Sequence, residues 1–142
     1  MIRFHYYRGV SPDNQKEKVA INVCNILRGY LDLPDVIEIE FVQLGPSKYA
    51  ETIVDYRYPN KIRVNLDLSL NDIVLPIIHE LLHLEQIKQG RLTNTRFGDI
   101  IWESKVYKIK QDLSYRDYLA LPWEEEVARK QQKMLEIIVK NQ

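Results

Sequence analysis

The sequence predicts an α+β fold: a small, mostly antiparallel sheet of about three strands, an N-terminal helix, a buried central helix and a C-terminal helix. Three observations carry this reading. Three short apolar stretches between residues 37 and 68 alternate or cluster as strands do, the run from Leu75 to Gln86 is apolar around nearly its whole circumference, and residues 122–142 are amphipathic at helical spacing. At 142 residues, of which 45% are hydrophobic and 28% charged, the chain fits one globular domain, 1–142, able to bury a core without staples.

The first helix opens at "SPDNQKEK", with Ser11 as N-cap, Pro12 at the first helical position and Asp13 behind it. Ala20, Val23, Cys24, Leu27, Tyr30 and Leu31 make its apolar stripe, so Cys24 is expected to be a buried, inert thiol. In "VIEIEFV", Ile37, Ile39 and Phe41 face one side while Glu38 and Glu40 face the other. "AETIVDY" and "KIRVNLDL" follow as two more strands, joined through Pro59 and Asn60, residues suited to a turn. In the latter, Ile62, Val64, Leu66 and Leu68 alternate with Lys61, Arg63, Asn65 and Asp67.

The central helix is coated by Leu75, Ile77, Ile78, Leu81, Leu82 and Leu84, with Pro76 in its first turn or at a slight kink and Gly90 positioned to cap its end. Between Arg91 and Leu121 the pattern weakens, and "IIWESKVYKI" reads as a short hairpin turning at Glu103 and Ser104. "LPWEEEVARKQQKMLEIIVKNQ" begins the last helix, with Pro122 early and acids in the first turn.

Composition bounds function. Lys plus Arg and Asp plus Glu are both 20, which argues against a partner held by bulk charge, such as duplex nucleic acid or an anionic membrane surface. One cysteine excludes an internal disulfide framework. The start "MIRFHYYRGV" lacks the apolar core of a signal peptide, and no apolar run approaches the roughly 20 residues that span a bilayer. The expectation is a soluble, cytoplasmic protein that engages neither nucleic acid nor membrane.

The chemistry concentrates in "HELLHLEQ", residues 79–86, where two of the three histidines and two carboxylates sit within the most apolar stretch. Burying ionisable groups there costs several kcal/mol unless something compensates them. His79 and His83, four residues apart, project from one helix face and can close on one ion, with Glu80 about 100° round. His-Glu-x-x-His is the metallopeptidase pattern: two imidazoles hold Zn2+, and the glutamate acts on the water that the metal polarises.

A catalytic zinc wants a third protein ligand. Gln86 and Gln89 stand where a metzincin has Gly and a third His, and His5 has no motif around it. A carboxylate from the last helix is the remaining source. With the apolar face set by Trp123, Val127, Met134 and Ile138, Glu124 lies about 50° from its centre, and Glu126 and Glu125 roughly 100° and 150° away. Glu125 and Glu126 have Arg129 and Lys130 at ion-pair spacing, whereas Glu124 has only Ala128. Glu124 is the first candidate and Glu126 the second; Glu103 and Asp99 are more remote alternatives.

His-Glu-x-x-His on a helix after three short strands, with a glutamate on a later helix, resembles a minimal gluzincin core. The chain is similar to small stand-alone metallopeptidase-like proteins of phage and bacterial type in "HELLHLEQ", in the stretch Trp102 to Tyr107 (W-x-G-K-x-Y) and in the ending Leu121 to Val127 (L-P-W-E-x-E-A). Ser104 stands where that pattern has Gly, and Val127 where it has Ala. The resemblance implies zinc on His79, His83 and Glu124, with Glu80 as general base.

The function expected is therefore zinc-dependent hydrolysis of a peptide or protein substrate. Tyr107, Tyr115, Tyr118 and Arg91 are open candidates for an oxyanion donor, and residues 61–68 are the candidate sheet edge for peptide β-addition. The alternative is a catalytically inert, metal-stabilised structural or interaction module, for example a virion-associated component. A DNA-directed protease of the SprT-like kind fits less well, because such proteins complete the site with His and carry basic surface.

Overall fold

The computed structural model describes residues 1–141. Its elements run β1 (Ile2–Tyr6), α1 (Asn14–Leu27), β2 (Ile37–Val42), β3 (Ala50–Thr52), β4 (Lys61–Asn65), α2 (Val74–Lys88), β5 (Leu92–Asn94), β6 (Ile100–Trp102), β7 (Lys105–Tyr107), α3 (Tyr115–Leu119) and α4 (Pro122–Lys140). The class is α+β, as the sequence predicts. The sheet is not: a four-stranded mixed sheet in the order β1-β2-β4-β3 accompanies a separate three-stranded antiparallel one in the order β5-β6-β7.

The difference begins at the N-terminus. Ile2, Phe4 and Tyr6 alternate with the more exposed Arg3 and His5, and the segment forms a fourth strand. It pairs parallel to β2, with Ile2 opposite Ile37 and Phe4 opposite Ile39. Helix α1 makes the crossover that a parallel pair demands. β2 is also parallel to β4, so only β3 runs antiparallel.

One face of this sheet carries Ile37, Ile39, Phe41, Ile62 and Val64, all buried in a single core with α1, α2 and α4. The other carries an ion-pair ladder, in which Glu40 meets Lys61 at 3.4 Å and Arg63 at 3.0 Å. Alternation thus turns apolar residues to the helices and charges away from them.

Helix α1 starts two residues later than expected. Asp13, not Ser11, is its cap, accepting from the backbone N–H groups of Gln15 and Lys16, both at 3.1 Å. Cys24 is fully buried on the predicted stripe, and burial pushes its thiol up to about 12. Tyr30, placed on that stripe by spacing, is exposed instead.

In α2, Pro76 is the third residue, where a helix has no acceptor for its N–H, so the proline forfeits no hydrogen bond. The far end closes in a Schellman turn: Gly90 has φ +74°, its N–H donates to Ile87 and that of Arg91 to Gln86. Leu75, counted from spacing as part of the buried coat, is 40% exposed.

β4 lies between β2 and β3, so 61–68 is no edge; the edge beside α2 is β3. The hairpin forms as expected, with β5 added to it, and packs Leu92 and Trp102 on Trp123 of α4. Its two turn residues, Glu103 (φ 47°) and Ser104 (φ 71°), both adopt the left-handed conformation of a type I′ turn. Glycine at 104 would relieve strain that serine bears there. Among the described residues no helix is long and apolar enough to cross a membrane.

Ser104→Gly should therefore stabilise the fold by about 0.5–1 kcal/mol, the relief of the left-handed conformation less glycine's added chain entropy. Urea midpoints of the two proteins test this. An unchanged or lower midpoint contradicts the strain assigned to the turn.

Candidate metal centre

α2 presents His79 and His83 to α4, and the two rings lie edge to face with centroids 5.1 Å apart. Glu124, in the first turn of α4, reaches between them. Its Oε1 lies 3.1 Å from Nε2 of His79 and 3.1 Å from Nε2 of His83, and its Oε2 lies 3.0 Å from the latter. The far nitrogens are engaged as well: Nδ1 of His79 is 2.8 Å from Oε1 of Gln131, and Nδ1 of His83 is 2.8 Å from Oε1 of Gln86. Glu80, one residue round the helix, receives a 2.8 Å hydrogen bond from the hydroxyl of Thr52 on β3.

Each imidazole thus has an acceptor at both nitrogens, an arrangement that suits the protonated ring in the metal-free chain. Burial works against a charge on His79, but the hydrogen bond to Glu124 and the nearby Glu80 prevail and raise its pKa to about 9. His83 shifts upward against the same burial penalty, again through Glu124. Burial pushes Glu124 the other way, yet its two histidine partners hold the carboxyl down at about 2. Glu80 is raised, because burial outweighs the histidine charges and the Thr52 hydrogen bond.

A divalent cation fits these donors. His79, Glu80 and His83 each offer a ligand atom within 4.8 Å of the others. Glu124 touches both Nε2 atoms directly, and its 3.0–3.1 Å separations approach the about 3.3 Å edge of a tetrahedron with metal bonds near 2.0–2.1 Å. Two acids are therefore within reach. Glu124 is placed as the shared partner of the rings, whereas Glu80 is turned to Thr52.

The other candidates go elsewhere. Glu126 is buried but engaged by Arg91, whose Nη1 is 2.9 Å from Oε1 and whose Nη2 contacts Oε2, with Lys130 at 3.6 Å. Glu125 is exposed. Glu103 pairs with Arg91 at 2.7 Å, and Asp99 closes the turn of β5 and β6 through its backbone. His5 lies 3.3 Å from Glu38 on the outer face of the large sheet. Val127 is buried in the core. Of the oxyanion candidates, Arg91 is committed to its ion pairs and Tyr107 packs edge-on against Trp123 at 5.3 Å. Tyr115 and Tyr118 line the cleft that opens at His79, and burial together with Glu124 and Glu80 raises the Tyr118 phenol.

That cleft, about 850 Å³, is bounded by Ala50 of β3, Leu75, His79 and Glu80 of α2, Tyr118 of α3 and Glu124. Three of the centre's residues escaped the sequence reading: Gln86, Gln131 and Thr52. Gln131 follows Glu124 by seven residues, two helical turns on the same face, and Gln86 follows His83 by three, so helical spacing held a signal for both. Nothing local marks Thr52; only strand pairing brings it to Glu80.

Comparison of the chain with protein-family models, curated proteins and solved structures finds no match.

Without metal, the cluster should stabilise the fold over a bounded pH range. The His79 contribution is complete below about pH 6.5 and is lost as pH rises through about 9. The Glu124 contribution is complete above about pH 4.5 and is lost as pH falls through about 2. Urea midpoints of chelator-treated protein should fall between pH 6.5 and 9, and Glu124→Gln should flatten that limb. An equal fall in the variant contradicts the assignment.

Proposed function

We propose that the protein is a zinc-dependent peptidase, with His79, His83 and Glu124 as ligands and Glu80 as general base. One observation carries the reading: two imidazoles and a carboxylate converge through Nε2, Nε2 and Oε1, while a second, separately held carboxylate faces an open cleft. Two nitrogen donors and one oxygen donor make the set in which catalytic zinc keeps a position free. When bound, zinc would supply Lewis acidity, lowering the pKa of a water and polarising a substrate carbonyl.

The rest falls to the chain. Glu80 accepts the proton of the attacking water and passes it to the leaving amine; in the metal-free chain burial raises its pKa. Thr52 fixes which oxygen of Glu80 is occupied and which is free. β3 is the sheet edge along the cleft, the role the sequence reading gave to 61–68, and an extended peptide could lie beside it. Tyr118 and Tyr115 form the facing wall.

The rival, a catalytically inert metal-stabilised module, calls for a closed site. The open cleft at His79, Glu80 and Glu124 favours turnover.

Zinc-loaded protein should cleave an unfolded protein substrate, read as new N-termini. Glu80→Gln should keep about one zinc per chain while hydrolysis falls by on the order of 10² or more. If Glu80→Gln loses zinc, the residue is a ligand and the site is closed. His79→Ala with His83→Ala should abolish stoichiometric zinc.

Glu124 and Glu126 separate by zinc affinity. Glu124→Ala should weaken binding strongly, since it removes a ligand. A large loss in Glu126→Ala with none in Glu124→Ala would move the ligand two residues along α4.

A further inference from the structure

The ring of His83 is held by more than its neighbour. Gln86 is 1% exposed, and a carboxamide buried that deeply must be satisfied at both ends. Its Nε2 has two hydrogens and meets two groups that only accept, the Trp123 carbonyl at 3.0 Å and Oε1 of Glu126 at 3.2 Å. The nitrogen end is thereby fixed, and the oxygen end must face Nδ1 of His83 at 2.8 Å. An amide oxygen only accepts, so Nδ1 must carry hydrogen, and the lone pair of the neutral ring falls on Nε2, toward Glu124.

Glu126 is itself fixed. The planar fork of Arg91 grips both its oxygens, and Arg91 is in turn held 4.7 Å above the Trp102 ring and 2.7 Å from Glu103. Trp102 and Glu103 belong to the β6–β7 hairpin.

We propose that Gln86, Glu126 and Arg91 are positioning residues, a relay by which the small sheet dictates which nitrogen of His83 faces the metal. This rests on the metal reading above. His79 provides the contrast: Gln131 accepts from its Nδ1, but among the described residues no acceptor meets the nitrogen of that carboxamide. Apart from their shared Glu124, the two ligand histidines are therefore held unequally, His83 through Gln86 and the groups that fix it, and His79 through Gln131 alone.

The relay predicts a graded loss of zinc affinity, measured by competition with a chromophoric chelator. Gln86→Leu, similar in volume but without either polar end, should weaken binding on the order of 10- to 100-fold. Glu126→Leu should weaken it about 10-fold, although it touches no ligand, whereas Glu126→Gln, which still offers an oxygen to Gln86, should cost less than about 3-fold. Affinity unchanged in Gln86→Leu, or equal losses in Glu126→Leu and Glu126→Gln, overturns the relay.

Should the leucine variants fail to fold, nitrogen NMR of the unaltered zinc-loaded protein decides. The relay requires hydrogen on Nδ1 of His83 and metal on Nε2; the reverse overturns it. Zinc binding to the unaltered protein with no effect of these changes rejects the relay alone, whereas absence of zinc binding rejects the metal reading and the relay together.

Discussion

Glu124 bridging the Nε2 atoms of His79 and His83 is the contact on which the helical layer depends. Two ionisable rings and their partner acid lie between α2 and α4, helices that otherwise join through Ile78, Leu81, Leu82, Val127 and Met134 in one apolar core. Such a cluster is tolerable only if each member is paired, since a single orphaned charge at that depth costs several kcal/mol. The pairing is complete at both rings, at Glu80 through Thr52 and at Gln86 through three partners. The register of α4 against α2 is therefore set by polar groups as much as by side-chain volume.

Much of this was legible in the chain because helical periodicity is local. The four-residue interval of the histidines, the apolar coat beside them apart from Leu75, and an acid near the buried stripe of α4 without a basic residue four places on all survive folding. That reasoning brought Glu124 to the rings and sent Glu126 to a basic partner, although the partner that dominates is Arg91, 35 residues earlier, as well as Lys130. The turn at Glu103 and Ser104 was legible for a related reason: two short apolar segments around two polar residues leave few alternatives.

What stayed hidden depends on pairing between distant segments. Strand alternation shows which face is buried but not which strand is the neighbour. The β1–α1–β2 crossover makes β1 and β2 parallel, β4 runs parallel to β2 as well, and β3 pairs on the outer side of β4, so a sheet that looked mostly antiparallel is mixed and β4 lies in its interior. β1 itself alternates over only five residues, with tyrosine and histidine among them. The caps shifted for similar reasons: Asp13 displaced Ser11 because the Tyr6 hydroxyl, on a strand not anticipated, accepts from the Asp13 backbone at 3.0 Å. Thr52 belongs to the same class, since only the register of β3 on β4 brings it to Glu80.

The two sheets then divide the labour around the centre. The large sheet contributes its edge strand and, through Thr52, the orientation of Glu80, on the side where the cleft opens. The small sheet stands behind Glu126 and Gln86, on the side of His83, which is buried where His79 is partly exposed. On the peptidase reading proposed above, a site that binds and releases a substrate gains from this asymmetry. Rigidity on the closed side keeps the donors in place, and partial exposure on the open side leaves room for a reacting group. The hairpin, whose Glu103 is engaged by Arg91 rather than by the histidines, is then part of the centre's support through that arginine.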